Sequence, residues 1–257
     1  MPEGLTTHLK THNPSTYHRA TTHPFLLAAG KGQLPKSTLS KWLSQDRLYA
    51  QSYVRFIGLL LSKCQLPHAP NNAETALERR IVAVLIDALV NIQREIGFFE
   101  EVAREYRLDL AVVPDGEETF GPGTITQAYI DMFMSAGSPA VSLLEGLVVL
   151  WATEICYLES WEGAKRVMGS MGEGGERDLD GGALRERFIP NWTSVEFREF
   201  VEGIAEVVDA LASRVLNEEG EVVARCERWW RQVKWLEERF WPDVPVADQE
   251  SGGVRTE

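Results

Sequence analysis

The chain has 257 residues with 38 acidic and 26 basic side chains, so its formal net charge is −12 at pH 7. This negative balance argues against nucleic acid or an anionic membrane as a partner, because both select basic surfaces. Hydrophobic residues make up 44% of the chain, which is typical of a soluble globular protein, and no apolar run reaches the roughly 18 residues of a membrane span.

Prolines divide the chain into stretches where long helices can form, because proline interrupts helix interiors. No proline occurs in residues 36–66, 71–113, 140–189 or 191–241. These stretches are rich in Ala, Leu, Glu, Arg and Lys, their apolar residues recur every three or four positions, and the alternation typical of strands is absent. The sequence predicts an all-α domain of roughly seven or eight helices. Long helices are predicted over 40–62, 73–107, 140–168, 195–216 and 219–240.

Local signals mark helix starts and loops. Ser138-Pro139 is typical of an N-cap followed by proline in the first turn, and Thr193-Ser194 is typical of a capping sequence. Residues 109–125 and 169–183 contain several glycines and predict loops, the second of them a mobile surface loop. No Gly-Lys-Ser or Gly-Lys-Thr follows these glycines, so a phosphate loop is not expected. We expect one domain over 1–245 and a flexible polar tail over 246–257.

Four acidic residues interrupt the apolar faces of the predicted helices. They are Asp46, Glu95, Glu154 and Glu237, and each has aromatic or aliphatic neighbours at helical spacing. Burying an unpaired carboxylate costs several kcal/mol, so four of them on different helices indicate a polar pocket in the core. The competing interpretation for each is placement on a solvated face, and it is strongest for Glu95, whose helix end is highly charged.

A metal centre is not expected from the sequence. All five histidines lie at or before His68, so neither Glu154 nor Glu237 can belong to the Glu-x-x-His motif of a di-iron bundle. His8 and His12 have i,i+4 spacing, but they lie in a polar segment that we expect to be mobile.

The three cysteines, Cys64, Cys156 and Cys226, lack the spacing of a zinc site. Their small number fits a reducing compartment, and no apolar segment typical of a secretory signal follows Met1, so we expect a cytoplasmic protein. No Gly-x-Ser-x-Gly elbow of a serine hydrolase occurs. We expect neither a metal nor a cofactor.

A set of short motifs, in a fixed order along the chain, resembles the TenA/thiaminase II family over about residues 15–241. The motifs are His23-Pro24-Phe25, Gly30, Gly32, Leu34-Pro35, Gln45-Asp46 with Tyr49, Ala128-Tyr129 with Asp131, and Glu237-Glu238-Arg239-Phe240-Trp241. The resemblance implies a haem-oxygenase-like helical bundle, a homodimer or homotetramer, and a pocket for a small aminopyrimidine used in thiamin salvage.

The resemblance also implies roles for individual residues. Asp46 would hydrogen-bond the aminopyrimidine edge, and Glu237 would be the acid/base group at the substituent on the 5-methylene carbon. Tyr49, Tyr129 and Phe240 would line the ring. Glu95 is included among the substrate-binding candidates because it interrupts an apolar helix face. Asp46 and Glu237 are also the two acids most closely flanked by aromatic residues.

One departure from the family pattern affects the chemistry. Bacterial-type members carry a nucleophilic cysteine on the mid-chain helix, and residues 147–154 contain none, so the chain resembles the eukaryotic-type branch that lacks it. Glu154 is then the second catalytic candidate. Cys156 lies further along the same helix and is a candidate to reach the pocket from there. The preferred interpretation is that Cys156 is a small, buried hydrophobic residue.

Paired acids without a thiol suit hydrolysis of a C–N bond. The expected substrate is 4-amino-5-aminomethyl-2-methylpyrimidine or its N-formyl derivative, and the loss of the cysteine removes the covalent route to cleavage of thiamin itself. The competing class is a non-catalytic aminopyrimidine-binding or regulatory protein on the same fold, which would need Asp46 and the aromatic residues but not two acid/base groups.

Overall fold

The computed structural model describes residues 4–68, 76–170, 178–215 and 220–244. Within these ranges every regular element is helical, and no strand occurs. The prediction of an all-α fold is therefore confirmed. A π-helical turn at Leu184–Phe188 leads directly into one of the α-helices. The α-helices are α1 (Leu5–Thr11), α2 (Pro14–Thr21), α3 (Pro24–Gly30), α4 (Lys36–Lys63), α5 (Ala76–Tyr106), α6 (Thr124–Gly137), α7 (Leu143–Ser170), α8 (Ile189–Trp192), α9 (Val195–Val215) and α10 (Gly220–Phe240).

The five long helices predicted from the sequence correspond to α4, α5, α7, α9 and α10, with ends displaced by a few residues. The described part of the chain holds more helices than predicted because α1, α2, α3 and α8 are each eight residues long or shorter. Helices of this length carry too few turns for a clear apolar period, so packing rather than pattern defines them.

Two predicted helix starts have different outcomes. Ser194 caps α9 as predicted, because the backbone N–H of Phe197 donates to its Oγ at 3.1 Å. The predicted start at Ser138 is wrong, since Ser138 ends α6 and α7 begins only at Leu143. There, the Ser142 backbone N–H donates to the Glu145 carboxylate at 3.2 Å, and the Glu145 N–H donates back to Ser142 Oγ at 3.3 Å. This reciprocal capping box begins α7 in place of Ser138.

The two segments predicted as glycine-containing loops, 109–125 and 169–183, both include residues outside any helix. No helix occurs between Leu108 and Gly123, in agreement with the loop predicted over 109–125. In the segment predicted over 169–183, residues 171–177 lie outside the described residues, as does the predicted tail at 246–257. Residues 178–183 pack against the body of the protein, where the buried Asp180 carboxylate accepts from the backbone N–H groups of Gly182 and Leu184.

Helix α7 lies at the centre of the bundle and contacts α2, α3, α9 and α10. Its buried residues belong to two hydrophobic clusters. The larger cluster joins α4, α6, α9 and α10, and the smaller one joins α3, the ends of α4 and α5, and the segment 183–192. Ile92 and Phe240 are partly buried and pack against both clusters. These two residues mark a seam between the two halves of the core, and the seam positions the candidate site.

The N-terminal segment with His8 and His12 differs from the sequence expectation. It forms α1, which is held against the body by the buried side chains of Leu5 and Leu9. The description of this segment as polar and mobile is therefore wrong, because two leucines four residues apart give a helix this short one apolar face. None of the helices in the described ranges has the length and hydropathy of a membrane-spanning segment.

Candidate active site

A cavity of about 320 Å³ opens between α4, α5, α7 and α9. It lies on the seam between the two hydrophobic clusters, since Ile92 is part of its wall. Its size suits a small ring compound, and its wall combines aromatic rings with carboxyl groups. The lining residues are Asp46, Tyr49, Ala50, Tyr53, Ala88, Asn91, Ile92, Arg94, Glu95, Phe98, Phe99, Glu154, Tyr157, Asn191, Trp192, Ser194, Glu196, Phe197 and Phe200.

Helix α4 places Asp46, Tyr49 and Tyr53 on one face, because residues three, four and seven positions apart lie along the same side of a helix. Asp46 is only 3% exposed, and the Tyr157 hydroxyl of α7 donates to its Oδ2 over a long 3.4 Å. Burial raises the pKa of Asp46 well above its usual range, and the charges of Glu95 and Glu237 raise it further. Asp46 is thereby held towards its protonated form.

Glu154 projects from α7 into the same cavity, three residues before Tyr157. Burial raises the pKa of Glu154 to about 7, and the neighbouring Tyr53 hydroxyl opposes the rise. A carboxyl group with this pKa can give up or take up a proton near neutral pH, which is the property a general acid or base needs.

Glu95 of α5 also lines the cavity. The structure therefore does not support the alternative interpretation, in which Glu95 lies on a solvated face of its helix. Trp192 Nε1 donates to one carboxylate oxygen at 2.5 Å, and Asn191 Nδ2 donates to the other at 3.0 Å. Burial raises the pKa of Glu95 to about 7, and these two hydrogen bonds hold it from rising further. Glu95 therefore connects α5 to α8 across the cavity wall.

Glu237 of α10 lies one layer behind this wall. It is 4% exposed, does not line the cavity, and accepts a 2.5 Å hydrogen bond from the Tyr129 hydroxyl. Burial raises the pKa of Glu237 to about 8. Tyr129 and Phe240 are likewise behind the wall, where their rings pack against that of Tyr49 with centroid distances of 5.1 and 5.9 Å. Tyr49, which lines the cavity, thus packs against the tyrosine that hydrogen-bonds Glu237.

Cys156 is fully buried and does not line the cavity. Burial raises the pKa of the Cys156 thiol well above its usual value, so the group stays neutral. The structure therefore places Cys156 apart from Asp46, Tyr49, Glu95 and Glu154, which it brings together around one space.

Several cavity residues are not found by the sequence reasoning. Tyr157 lies one helical turn after Glu154, so the apolar period of α7 contains a signal for it. Trp192 carries no such signal, because α8 has four residues and its position depends on how the chain folds back over α5. Phe197 lies in the first turn of α9, and the helix predicted over 195–216 includes it without marking it as a cavity residue. Among the described residues that line the cavity, Arg94 is the one basic side chain.

Comparison with known proteins places this fold and cavity in a family. The model of the TENA/THI-4/PQQC family matches residues 8–244. The chain belongs to this family. Its helices also superpose on a TenA homologue from Pyrococcus furiosus with a TM-score of 0.72 at 24% identity, over 92% of this chain and 98% of that chain. The haem-oxygenase-like bundle implied by the sequence motifs is thus confirmed.

Three proteins similar to this chain have different names. A protein from Fusarium pseudograminearum named "Probable transcription factor" is 30% identical over 99% of this chain, which spans only 53% of that protein's length. A "Probable bifunctional TENA-E protein" from Glycine max is 22% identical over 93% of this chain and 92% of its own. An "Aminopyrimidine aminohydrolase" from Halalkalibacterium halodurans is 23% identical over 85% of both chains.

Proposed function

We propose that the protein hydrolyses a C–N bond of a thiamin-derived aminopyrimidine. The observation that carries the proposal is that three carboxyl groups with raised pKa values, those of Asp46, Glu95 and Glu154, line one aromatic-walled cavity. The name of the Halalkalibacterium halodurans relative supports the same substrate class. The substrates that fit are 4-amino-5-aminomethyl-2-methylpyrimidine and its N-formyl derivative.

Asp46 is suited to the edge of an aminopyrimidine because its raised pKa favours the neutral acid. A protonated carboxyl group offers one O–H donor and one carbonyl acceptor side by side. An aminopyrimidine edge presents the complementary pair, a ring nitrogen that accepts and an amino N–H that donates. The rings of Tyr49 and Tyr157 flank this position and would hold the flat ligand between them.

The proposed reaction uses Glu154 and Glu237 as a pair. In the protonated form, Glu237 gives its proton to the departing amine as the C–N bond breaks. Glu154 positions a water molecule and accepts its proton as the new C–O bond forms at the methylene carbon. One water is consumed and ammonia is released, while a proton returned from Glu154 to Glu237 through the product or solvent completes the cycle. With the N-formyl compound, the water adds instead to the formyl carbon and the amide C–N bond breaks, which releases formate and leaves the aminomethylpyrimidine. Their pKa values of about 7 and 8 suit these opposite roles near neutral pH.

The position of Glu237 sets a condition on this mechanism. Glu237 does not line the cavity, so the mechanism requires the packed rings of Tyr49 and Tyr129 to shift when substrate binds. The hydrogen bond from the Tyr129 hydroxyl orients the Glu237 carboxyl group for that approach. Cys156 takes no part, and we therefore expect no covalent thiol intermediate and no cleavage of thiamin.

The test measures ammonia released from the aminomethylpyrimidine, and formate released from the N-formyl compound, by the full chain and by Glu237→Gln. The variant should lose turnover by about a hundredfold or more, since general acid/base groups contribute about 10²–10⁴ in rate. The matched control is Glu238→Gln, which changes the next residue of α10, where the carboxylate pairs with Arg19 outside the cavity. Unchanged turnover in Glu237→Gln, with folding retained, would contradict the assignment.

A second function, binding without turnover, is favoured by the position of Glu237 behind the wall. Such a protein would bind the aminopyrimidine through Asp46 and the aromatic residues. The same assay separates the two, because saturable binding with no ammonia and no formate would favour a regulatory or carrier role over hydrolysis.

A further inference from the structure

A cluster of two imidazoles and a carboxylate lies where α1 meets α10. Nε2 of His8 is 2.8 Å from Oε1 of Glu227, and Nδ1 of His12 is 3.7 Å from the same oxygen. One ligand atom from each of these three residues lies within 4.8 Å of the others. The two imidazole centroids are 5.9 Å apart, as expected for residues one helical turn apart.

The two sides of this cluster are held in place by contacts that do not involve the imidazoles. The buried Leu5 and Leu9 anchor α1, and the N–H and the hydroxyl of Thr6 both donate to Asp209 at 2.8 Å. At the other end, Lys234 Nζ donates to the backbone carbonyl of His12 at 3.2 Å. The backbone that carries the histidines is therefore fixed against the bundle before any ligand arrives.

We propose that His8, His12 and Glu227 bind one divalent transition-metal ion of the Zn²⁺ class at this surface. Imidazole nitrogens combined with a carboxylate select such ions over Mg²⁺ and Ca²⁺, which prefer all-oxygen sites. Metal–ligand bonds of about 2.1 Å in a tetrahedron place neighbouring ligand atoms about 3.4 Å apart. The observed separations lie on both sides of that value, so small side-chain rotations suffice.

Access and charge are compatible with the proposed ion. The side chains of His8, His12 and Glu227 are 34%, 49% and 25% exposed, so solvent and ions reach them and a water can complete the coordination. The nearby Lys234 ammonium group is directed elsewhere, towards the His12 carbonyl and over the Trp230 ring at 5.0 Å. The carboxylate of Glu227 offsets part of the charge of the ion.

The proposed site would serve stability rather than catalysis. None of its three residues lines the cavity, and two of them belong to the N-terminal segment while the third belongs to α10. A bound ion would connect elements more than two hundred residues apart in sequence. Because the ligands converge only in the folded chain, binding favours the folded state.

The experiment uses the full chain after removal of metal with a chelator, with ZnCl₂ as the titrant in calorimetry and in thermal unfolding. We expect one equivalent of Zn²⁺ to bind and Tm to rise by about 5 °C or more at a hundredfold excess over Kd. The variant His12→Gln should weaken binding by about tenfold or more and reduce the rise in Tm. His12 is half exposed and lies at the end of α1, so this change should leave the fold intact.

The matched control is His18→Gln, which changes an exposed histidine on α2 and should leave Zn²⁺ binding unaltered. The double variant His8→Gln with Glu227→Gln should abolish the one-equivalent site. No saturation below about 100 µM Zn²⁺ would overturn the proposal. Full-affinity binding in His12→Gln and in the double variant would also overturn it, since the ion would then be held elsewhere.

Discussion

Asp46 is the buried carboxyl group on which the proposed recognition of an aminopyrimidine depends. Its position on the aromatic face of α4 follows from helical spacing, so the sequence is sufficient to predict that it turns inward. The same reasoning finds Glu95 and Glu154, which also line the cavity. What it cannot show is that Glu237 does not line the cavity, because that depends on how the rings of α4, α6 and α10 pack together.

The protonation state of Asp46 leads to an unusual expectation for substitution. An asparagine keeps one donor and one acceptor at the same place, so Asp46→Asn should bind the aminopyrimidine within about fivefold of the unaltered chain. Asp46→Leu removes both groups and should weaken binding by about tenfold to a hundredfold, as expected for the loss of buried hydrogen bonds. Titration calorimetry with the aminomethylpyrimidine measures both.

The control for the two Asp46 variants is Asp131→Asn, because Asp131 is an exposed residue of α6 that does not line the cavity. A large loss of affinity in Asp46→Asn would indicate instead that the ionised carboxylate binds the ligand. Equal affinity in Asp46→Leu would show that the aminopyrimidine edge does not contact this residue.

At the scale of the elements, the long helices are predictable and the short ones are not. The ends of α9 and α10 lie close to their predicted positions because each has a long apolar period between breaks. The sequence places the start of α7 at Ser138 because Ser138-Pro139 and Ser142 with Glu145 are both capping signals, and the helix begins after the second of them. Helix α8 has no such signal, although it carries Trp192 into the cavity wall.

Helix α3 approaches α7 closely at Gly30. A Cβ atom at Gly30 would lie 2.4 Å from the backbone carbonyl oxygen of Ala164, and a backbone atom cannot rotate away. Gly30→Ala should therefore destabilise the protein by about 1–3 kcal/mol, because the two helices have to separate. Thermal unfolding should show a decrease in Tm of several degrees.

Gly58 provides the matched control for this substitution. It lies within α4, and a Cβ atom there would meet nothing within 4 Å. Gly58→Ala should stabilise the protein by about 0.5–1 kcal/mol, because alanine loses less backbone entropy in a helix. Effects of the same sign in both variants would contradict the close approach of α3 to α7.

At the scale of the whole molecule, the buried carboxyl groups affect how stability depends on pH. Burial raises the pKa of Glu95 and Glu154 to about 7 and that of Glu237 to about 8, from an ordinary value of 4.5. Between about pH 4.5 and pH 8, the folded state therefore binds more protons than the unfolded state. The contribution of these groups to the free energy of unfolding is largest below about pH 4.5 and decreases as the pH rises towards 8.

Glu154→Gln isolates this effect, since glutamine does not ionise. We expect the variant to gain stability over the unaltered chain as the pH rises, with a larger difference at pH 8 than at pH 5. Urea unfolding at constant ionic strength measures the difference at each pH. The control is Glu199→Gln on the exposed face of α9. A difference that stays constant from pH 5 to 8 would show that Glu154 titrates alike in both states.

The cavity on the seam between the two hydrophobic clusters has a consequence for how quickly the protein is degraded in a cell. A ligand there would fill the gap and join both clusters, so the empty protein should open more often than the occupied one. Proteases degrade chains in proportion to their open population when opening is fast. The abundance of the protein would then follow the supply of its own ligand, without any change in the rate of its synthesis.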